Sequence, residues 1–189
     1  DSAGGSSGEK KTIANIGSDT MVNLAAAWAE AYGAVDKNTL IEVNGGGSGV
    51  GVKGLINGTA DLANSSRHMS DAEKTELRQK RNLDAKEFVV GFDALSIYVH
   101  KDNPLNEISL EELAEIYKEG GKITKWSDLG VQSIPGAQGD EIVRIRRQNN
   151  SGTYHYFREV VIGKKGDFKA GSVDLNGSKD VVETIAKTN

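Results

Sequence analysis

Hydrophobic and polar positions alternate in a way that predicts a series of short strands and amphipathic helices. A β-prone run at Thr12–Ile16 leads into Gly17-Ser18-Asp19-Thr20, and a helix follows in which Met21, Leu24, Ala25, Trp28 and Tyr32 recur at helical spacing. That face is expected in the core, with Gly33 ending the helix. The strand Leu40–Val43 then enters Asn44–Gly54, the densest glycine run of the chain, and a helix-compatible stretch Val50–Asn57. A third apolar run, Ala60–Ala63, reaches Asn64-Ser65-Ser66-Arg67, and Ser70-Asp71-Ala72-Glu73 reads as a capping box opening a charged helix to about Asn82. This β-α-β-α-β-α order predicts a parallel sheet whose loops gather at the carboxyl ends of its strands, where open α/β sheets bind ligands.

The pattern changes after Asn82. Phe88–His100 reads as one long strand interrupted by Gly91-Phe92-Asp93, suited to crossing from one lobe to another. A second capping box, Ser109–Glu112, opens a helix with Leu110, Leu113, Ile116 and Tyr117 turned inward. Trp126–Asp140 reads as loop and Ile142–Arg147 as strand. Gln148–Thr153 then leads into a helix over Tyr154–Val161, and a last helix spans Ser178–Lys187. Tyr117, Tyr154 and Phe157 join Trp28 and Tyr32 as expected core aromatics.

Composition narrows the function without naming it. The 189 residues carry a net charge of −4, which gives no basic surface for nucleic acid or anionic membrane, and no cysteine for a disulfide or thiolate metal site. His68, His100 and His155 have no short metal-ligand spacing, so neither metal nor cofactor is expected. No stretch approaches the roughly 18 apolar residues of a membrane span. Residues 1–10, small and polar, read as a flexible tether, either an expression scar or the mature start of an exported protein.

Three places share a strand, a loop of Gly, Ser or Thr, and a helix start: Gly17–Met21, Gly45–Gly51 and Asn150–Thr153. Hydroxyls and free first-turn amides donate there, and the helix dipole favours negative charge by about 0.3–1 kcal/mol per terminus. Helix capping alone explains any one of them; the three together, with Arg147 beside the third, point to a small anion. Gly49–Gly54 fits G-x-G-x-x-G, but no acidic residue stands at the tip of the next strand. Lys53 is followed by Gly54 and not Ser or Thr, so a Walker loop fails. Ser151 lacks the G-x-S-x-G elbow of a nucleophile.

With these motifs in place, the chain resembles the PstS family, the extracytoplasmic phosphate-binding proteins of high-affinity phosphate ABC transporters. The resemblance runs from about Thr12 onward and rests on Gly17-Ser18-Asp19-Thr20-Met21, Gly45–Gly49, Asn64-Ser65-Ser66-Arg67 and Arg147–Thr153. It implies an α/β, periplasmic-binding-protein-like type II fold: lobe 1 over residues 11–91, lobe 2 over 92–189, and a ligand cleft between them. It implies a phosphate site of Thr20 and Ser48 hydroxyls, the Met21 amide, Ser66, the Arg147 charge, and hydroxyls and amides of Ser151, Gly152 and Thr153.

Well-known members of the family place an aspartate where Ser66 stands, and other relatives share the Ser-Ser-Arg version. Asp93 is the candidate to replace that carboxylate, with a hinge or capping role as the alternative; Arg67 either adds positive charge or forms an ion pair. The implied partners are inorganic phosphate and a membrane permease, with no nucleic acid, for a monomeric non-enzyme in the periplasm or on the cell surface. Membrane attachment would come only through a lipid anchor outside this chain. Family members continue past a helix like Ser178–Lys187 and return to lobe 1, so the resemblance implies a truncated form with lobe 1 incomplete. Rival readings are a receptor for sulfate, molybdate or tungstate, a nucleotide or phosphoryl-transfer enzyme built on the glycine loop, and a phosphate-sensing or adhesion protein.

Overall fold

The computed structural model describes residues 10–188, so the tether expected over residues 1–10 lies, apart from Lys10, outside the described residues. The chain divides after Phe88 into two compact units.

The first unit is the parallel sheet that the hydrophobic pattern predicts. Its elements are β1 (Lys11–Gly17), a 3-10 turn (Asp19–Met21), α1 (Val22–Val35), β2 (Thr39–Asn44), α2 (Ser48–Asn57), β3 (Leu62–Asn64) and α3 (Asp71–Arg81). The strand order is β2-β1-β3, all parallel, with Ile16 opposite Asn44 and Gly17 opposite Asn64. This register brings the ends of all three strands to one edge. Val52 and Ile56 of α2 pack with Leu77 of α3 as the buried core, and Met69 lies against them. The Ser70 capping box forms in full, with Glu73 N–H donating to Ser70 Oγ and Ser70 N–H donating to the Glu73 carboxylate.

The apolar face of α1 departs from expectation. Ala25 is buried, but Leu24, Trp28 and Tyr32 stay more than two-fifths exposed. The helix lies over β2, an edge strand of a three-stranded sheet, which is too narrow to cover a full helical stripe.

In the second unit, α4 (Leu110–Tyr117) starts at the predicted Ser109 capping box and buries Leu113 and Ile116. A 3-10 turn spans Trp126–Leu129, within the stretch read as loop. The expected strand Ile142–Arg147 shortens to β4 (Ile145–Arg147), which pairs in parallel with a strand the hydrophobic pattern did not reveal, β5 (Val173–Leu175). The helix expected over Tyr154–Val161 begins earlier, as α5 (Gly152–Phe157), and relaxes into a π turn over Arg158–Ile162. The last helix is α6 (Ser178–Ile185).

Tyr117, Phe157 and Phe168 form the aromatic core, with ring centres 5.0 and 6.1 Å apart, and the Arg146 guanidinium lies 4.2 Å from the Phe168 ring. Burial pushes the Tyr117 hydroxyl's pKa up, and that hydroxyl donates to the Ile145 carbonyl at 3.2 Å. Lys169 reaches the Gly121 carbonyl at 2.7 Å, and burial lowers its pKa.

The largest correction concerns Phe88–His100, which is not a strand. Residues 88–99 form neither helix nor strand, and no backbone hydrogen bond joins them to a neighbour among the described residues. Phe92 is fully exposed and Phe88 is 70% exposed. Their β-prone composition is real, but a strand exists only where another backbone pairs with it. Farther along, Leu95, Ile97 and Val99 line an apolar cavity of about 170 Å³ together with Leu113, Ile116 and Phe157. Among the described residues no helix is long and apolar enough to cross a membrane.

Candidate functional site

The sheet register of the first unit builds the first group of candidate residues. Because Gly17 stands opposite Asn64, Ser18 N–H donates to the Asn64 carbonyl at 2.9 Å, and the chain turns there into the 3-10 turn. Gly17 is required: its φ is +154°, and a Cβ would lie 2.0 Å from the Asn64 carbonyl oxygen. On the other side, Gly47 N–H donates to the Gly17 carbonyl at 2.9 Å, which docks the glycine loop on the end of β1. Asp19 fixes the same loop from above by accepting from Gly46 N–H at 2.9 Å.

These ties bring four hydroxyls into one connected chain. Thr20 Oγ1 and Ser18 Oγ are 2.8 Å apart, Ser18 Oγ donates to Ser66 Oγ at 3.1 Å, and Ser66 Oγ and Ser48 Oγ are 3.1 Å apart. Ser48 Oγ also accepts from Ser66 N–H at 3.1 Å. Ser48 is completely buried and Ser18 nearly so, whereas Thr20 is exposed and Ser66 half-buried. Solvent therefore meets this cluster through Thr20 and Ser66. Of the sequence-predicted residues, Thr20, Ser48 and Ser66 are brought together. Met21 sits beside them, but its N–H closes the 3-10 turn on the Ser18 carbonyl at 3.1 Å.

Sequence reasoning left Ser18 out of the phosphate set, and the structure puts it at the centre of the chain of hydroxyls. The usable signal was its position in Gly17-Ser18-Asp19-Thr20, immediately after a strand whose neighbour ends in Asn64-Ser65-Ser66. Arg67, next to Ser66, forms a forked ion pair with Glu73 (2.7 and 2.9 Å) and donates to the His68 carbonyl. The guanidinium's hydrogen bonds hold the Glu73 carboxyl down at a pKa of about 2. The cation of Arg67 is thus answered within its own unit.

A second group forms in the other unit where β4 ends. Arg147 is 5% exposed; its Nε and Nη2 donate to the Asn176 carbonyl at 3.0 and 2.6 Å, and its Nη1 donates to Ser178 Oγ at 2.9 Å. The β4–β5 pairing makes this possible by placing the loop after Leu175 alongside Arg147. Ser151 is buried and caps α5, its Oγ accepting from Tyr154 N–H at 2.9 Å. Gly152 is buried at the helix start and Thr153 is half-buried. Arg147, Ser151, Gly152 and Thr153 thus share one strand–loop–helix junction, the arrangement that receives anions at helix starts. Asp93 is exposed, on the segment after Phe88 that forms neither helix nor strand.

Each unit thus gathers hydroxyls at a strand–helix junction, the second with an arginine beside them; hydroxyls, first-turn amides and a guanidinium are the kinds of donor that a small oxyanion takes. The sequence matches the PBP superfamily domain over residues 2–189. The chain belongs to the PBP superfamily. Within it, the phosphate-binding protein PstS of Pseudomonas aeruginosa is 34% identical over 189 residues, a match covering 96% of this chain and 57% of that one. Protein SphX of Synechococcus elongatus is 34% identical over 177 residues, covering 92% of this chain and 50% of its own length. Among solved structures, a substrate-binding protein from Clostridium perfringens with bound phosphate is similar at a TM-score of 0.78 and 28% identity, over 95% of this chain and 67% of that one. The chain spans about half the length of these curated PBP relatives.

Proposed function

We propose that this chain belongs to an extracytoplasmic receptor that captures inorganic phosphate and passes it to the permease of an ABC transporter. The observation that carries the reading is the connected chain of Thr20, Ser18, Ser66 and Ser48 hydroxyls at one sheet edge. It occurs in a chain 34% identical to a phosphate-binding protein. The proposed contacts are the Thr20 and Ser66 hydroxyls with Ser48 behind them, the Met21 amide as a shared donor, and Arg147, Ser151, Gly152 and Thr153 of the second unit. Arg147 supplies charge, and the first-turn amides of Gly152 and Thr153 supply neutral donors that a dehydrated anion needs.

The reading makes the protein a receptor and not an enzyme. Binding and release leave phosphate chemically unchanged, and no residue of the proposed set is asked to act as base or nucleophile. We also propose that the protein acts as a monomer and that any attachment to the membrane is through a lipid anchor.

Calorimetry with phosphate, sulfate, molybdate and ATP tests the proposal directly. Saturable heat with phosphate, and weaker or no heat with ATP, is the expected result; binding of ATP in preference to phosphate, or no phosphate binding, overturns it. Asp93→Asn tests the remaining carboxylate: an unchanged phosphate-to-sulfate affinity ratio removes Asp93 from the set.

A further inference from the structure

The glycine loop after β2 is tied down by a side chain from another element. Gly46 and Gly47 have φ of +118° and +100°, a left-handed pair that glycine adopts without strain, so this stretch has no side chains of its own with which to anchor itself. Its N–H groups are held from outside instead, Gly47 by the Gly17 carbonyl and Gly46 by Asp19 Oδ1, both at 2.9 Å. Asp19 opens the 3-10 turn that carries Thr20 and Met21, and Gly47 stands immediately before Ser48, the first residue of α2. The Asp19 contact therefore bridges the turn that presents Thr20 and the loop that presents Ser48, and it fixes their spacing.

Gly45 is matched to that contact. Its φ lies outside the left-handed region, so the backbone does not ask for glycine there. A Cβ at this position would lie 2.6 Å from Asp19 Oδ1 and 3.2 Å from Val22 Cγ2, and the three nearest atoms all belong to side chains. Room for the Asp19 carboxylate is thus what position 45 supplies. An alanine there is admitted by turning the Asp19 side chain away, which breaks the bond to Gly46 and disturbs no backbone.

We infer that Asp19 is a positioning residue of the anion site, paired with Gly45, and that it acts as a hydrogen-bond acceptor and not through its charge. The inference rests on the proposed phosphate reading and deepens it. One oxygen suffices to hold the Gly46 N–H, whereas a carboxylate beside Thr20 opposes an incoming anion. An asparagine at position 19 keeps the acceptor and removes the repulsion. Loss of the acceptor frees two glycines, and ordering them again when the anion binds then costs affinity.

The test is phosphate affinity by calorimetry in the full chain and its variants, with the urea midpoint of each and hydrogen exchange at the Gly46 amide. Asp19→Ala should weaken phosphate about tenfold and speed exchange at Gly46. Asp19→Asn, the conservative variant, should rescue both, binding phosphate at least as tightly as the original chain. Gly45→Ala should also weaken phosphate about tenfold while its urea midpoint stays at the original value, a combination that a purely structural role would not give. Asp19→Ala and Gly45→Ala together should bind like Asp19→Ala alone, because both remove the same contact.

Unchanged phosphate affinity in Asp19→Ala overturns the inference. So does a loss in Asp19→Asn equal to that in Asp19→Ala, which makes the charge responsible, and so do losses that add in the double variant. Should Asp19→Ala fail to fold, Gly45→Ala and Asp19→Asn decide between them. If the original chain binds no phosphate, the phosphate reading itself is refuted and the inference falls with it; if the original chain binds and Asp19→Ala binds equally, the inference alone is lost.

Discussion

Gly51 offers the sharpest test of how the fold holds the hydroxyls in place. It lies one turn into α2, and a Cβ there would sit 2.3 Å from the Ile16 carbonyl oxygen and 2.8 Å from the Gly17 Cα. Both obstacles are backbone of the central strand, so no side chain can swing aside. Ordinary contact begins at 3.4 Å, so Gly51→Ala requires α2 to retreat from β1 by roughly 1 Å. That movement loosens Val52 and Ile56, which are 1% and 2% exposed, and draws Ser48 away from Ser66.

Overpacking against rigid atoms costs about 3 kcal/mol, and the gain in helix propensity from Gly to Ala returns about 1, leaving a net loss of about 2 kcal/mol. Urea unfolding followed by circular dichroism should show the midpoint falling by about 1 M for a slope near 2 kcal/mol/M. Gly33→Ala is the control: it is helical, has ordinary φ and has no atom within 4 Å of the added carbon. It should raise stability by about 0.5–1 kcal/mol. Phosphate affinity should fall at least about tenfold in Gly51→Ala and stay unchanged in Gly33→Ala. If the two variants are equally stable, the close approach of α2 to β1 is not what fixes the glycine, and the account of the loop is refuted.

Other outcomes follow from the same structure. Glu73 has a folded pKa of about 2 against an ordinary 4.5, so its stabilisation is complete above about pH 4.5 and is lost as pH falls through 2. The ceiling is roughly 3 kcal/mol, reduced by solvent screening to about 1 for a pair whose side chains remain 19% and 23% exposed. Glu73→Gln should therefore flatten the acid limb of a stability-versus-pH curve, and an unaltered limb would refute the pairing. Arg147→Lys gives up the forked contacts to Asn176 and Ser178, so stability should fall by about 2–3 kcal/mol in thermal unfolding, with phosphate affinity falling as well. Limited chymotrypsin digestion should cut first at Phe88, Phe92 or Tyr98, whose backbone lacks pairing partners among the described residues. First cleavage in the α1 helix at Trp28 or Tyr32 would contradict that.

Local chemistry was legible in the amino acids. The Ser70 and Ser109 capping boxes, the parallel β-α-β-α-β order and the Gly-Ser-Thr loops at strand ends depend on neighbours within a few residues, and each appears as read. What depends on distant partners was not legible. Phe88–His100 has the composition of a strand and lacks a pairing backbone, while Val173–Leu175, a short and half-polar run, becomes a strand because β4 lies beside it. Trp28 and Tyr32 have core periodicity, but the sheet beneath them is too narrow to bury them.

The candidate anion loops divide along the same line. By itself the sequence determined which residue types stand at the three helix starts, because hydroxyls, glycines and an arginine after strands are a local pattern. Only the tertiary structure decided that Ser18 and Ser66, 48 residues apart, share a hydrogen bond. That link depends on the register of β1 against β3, which packing across the whole unit sets and no local pattern records.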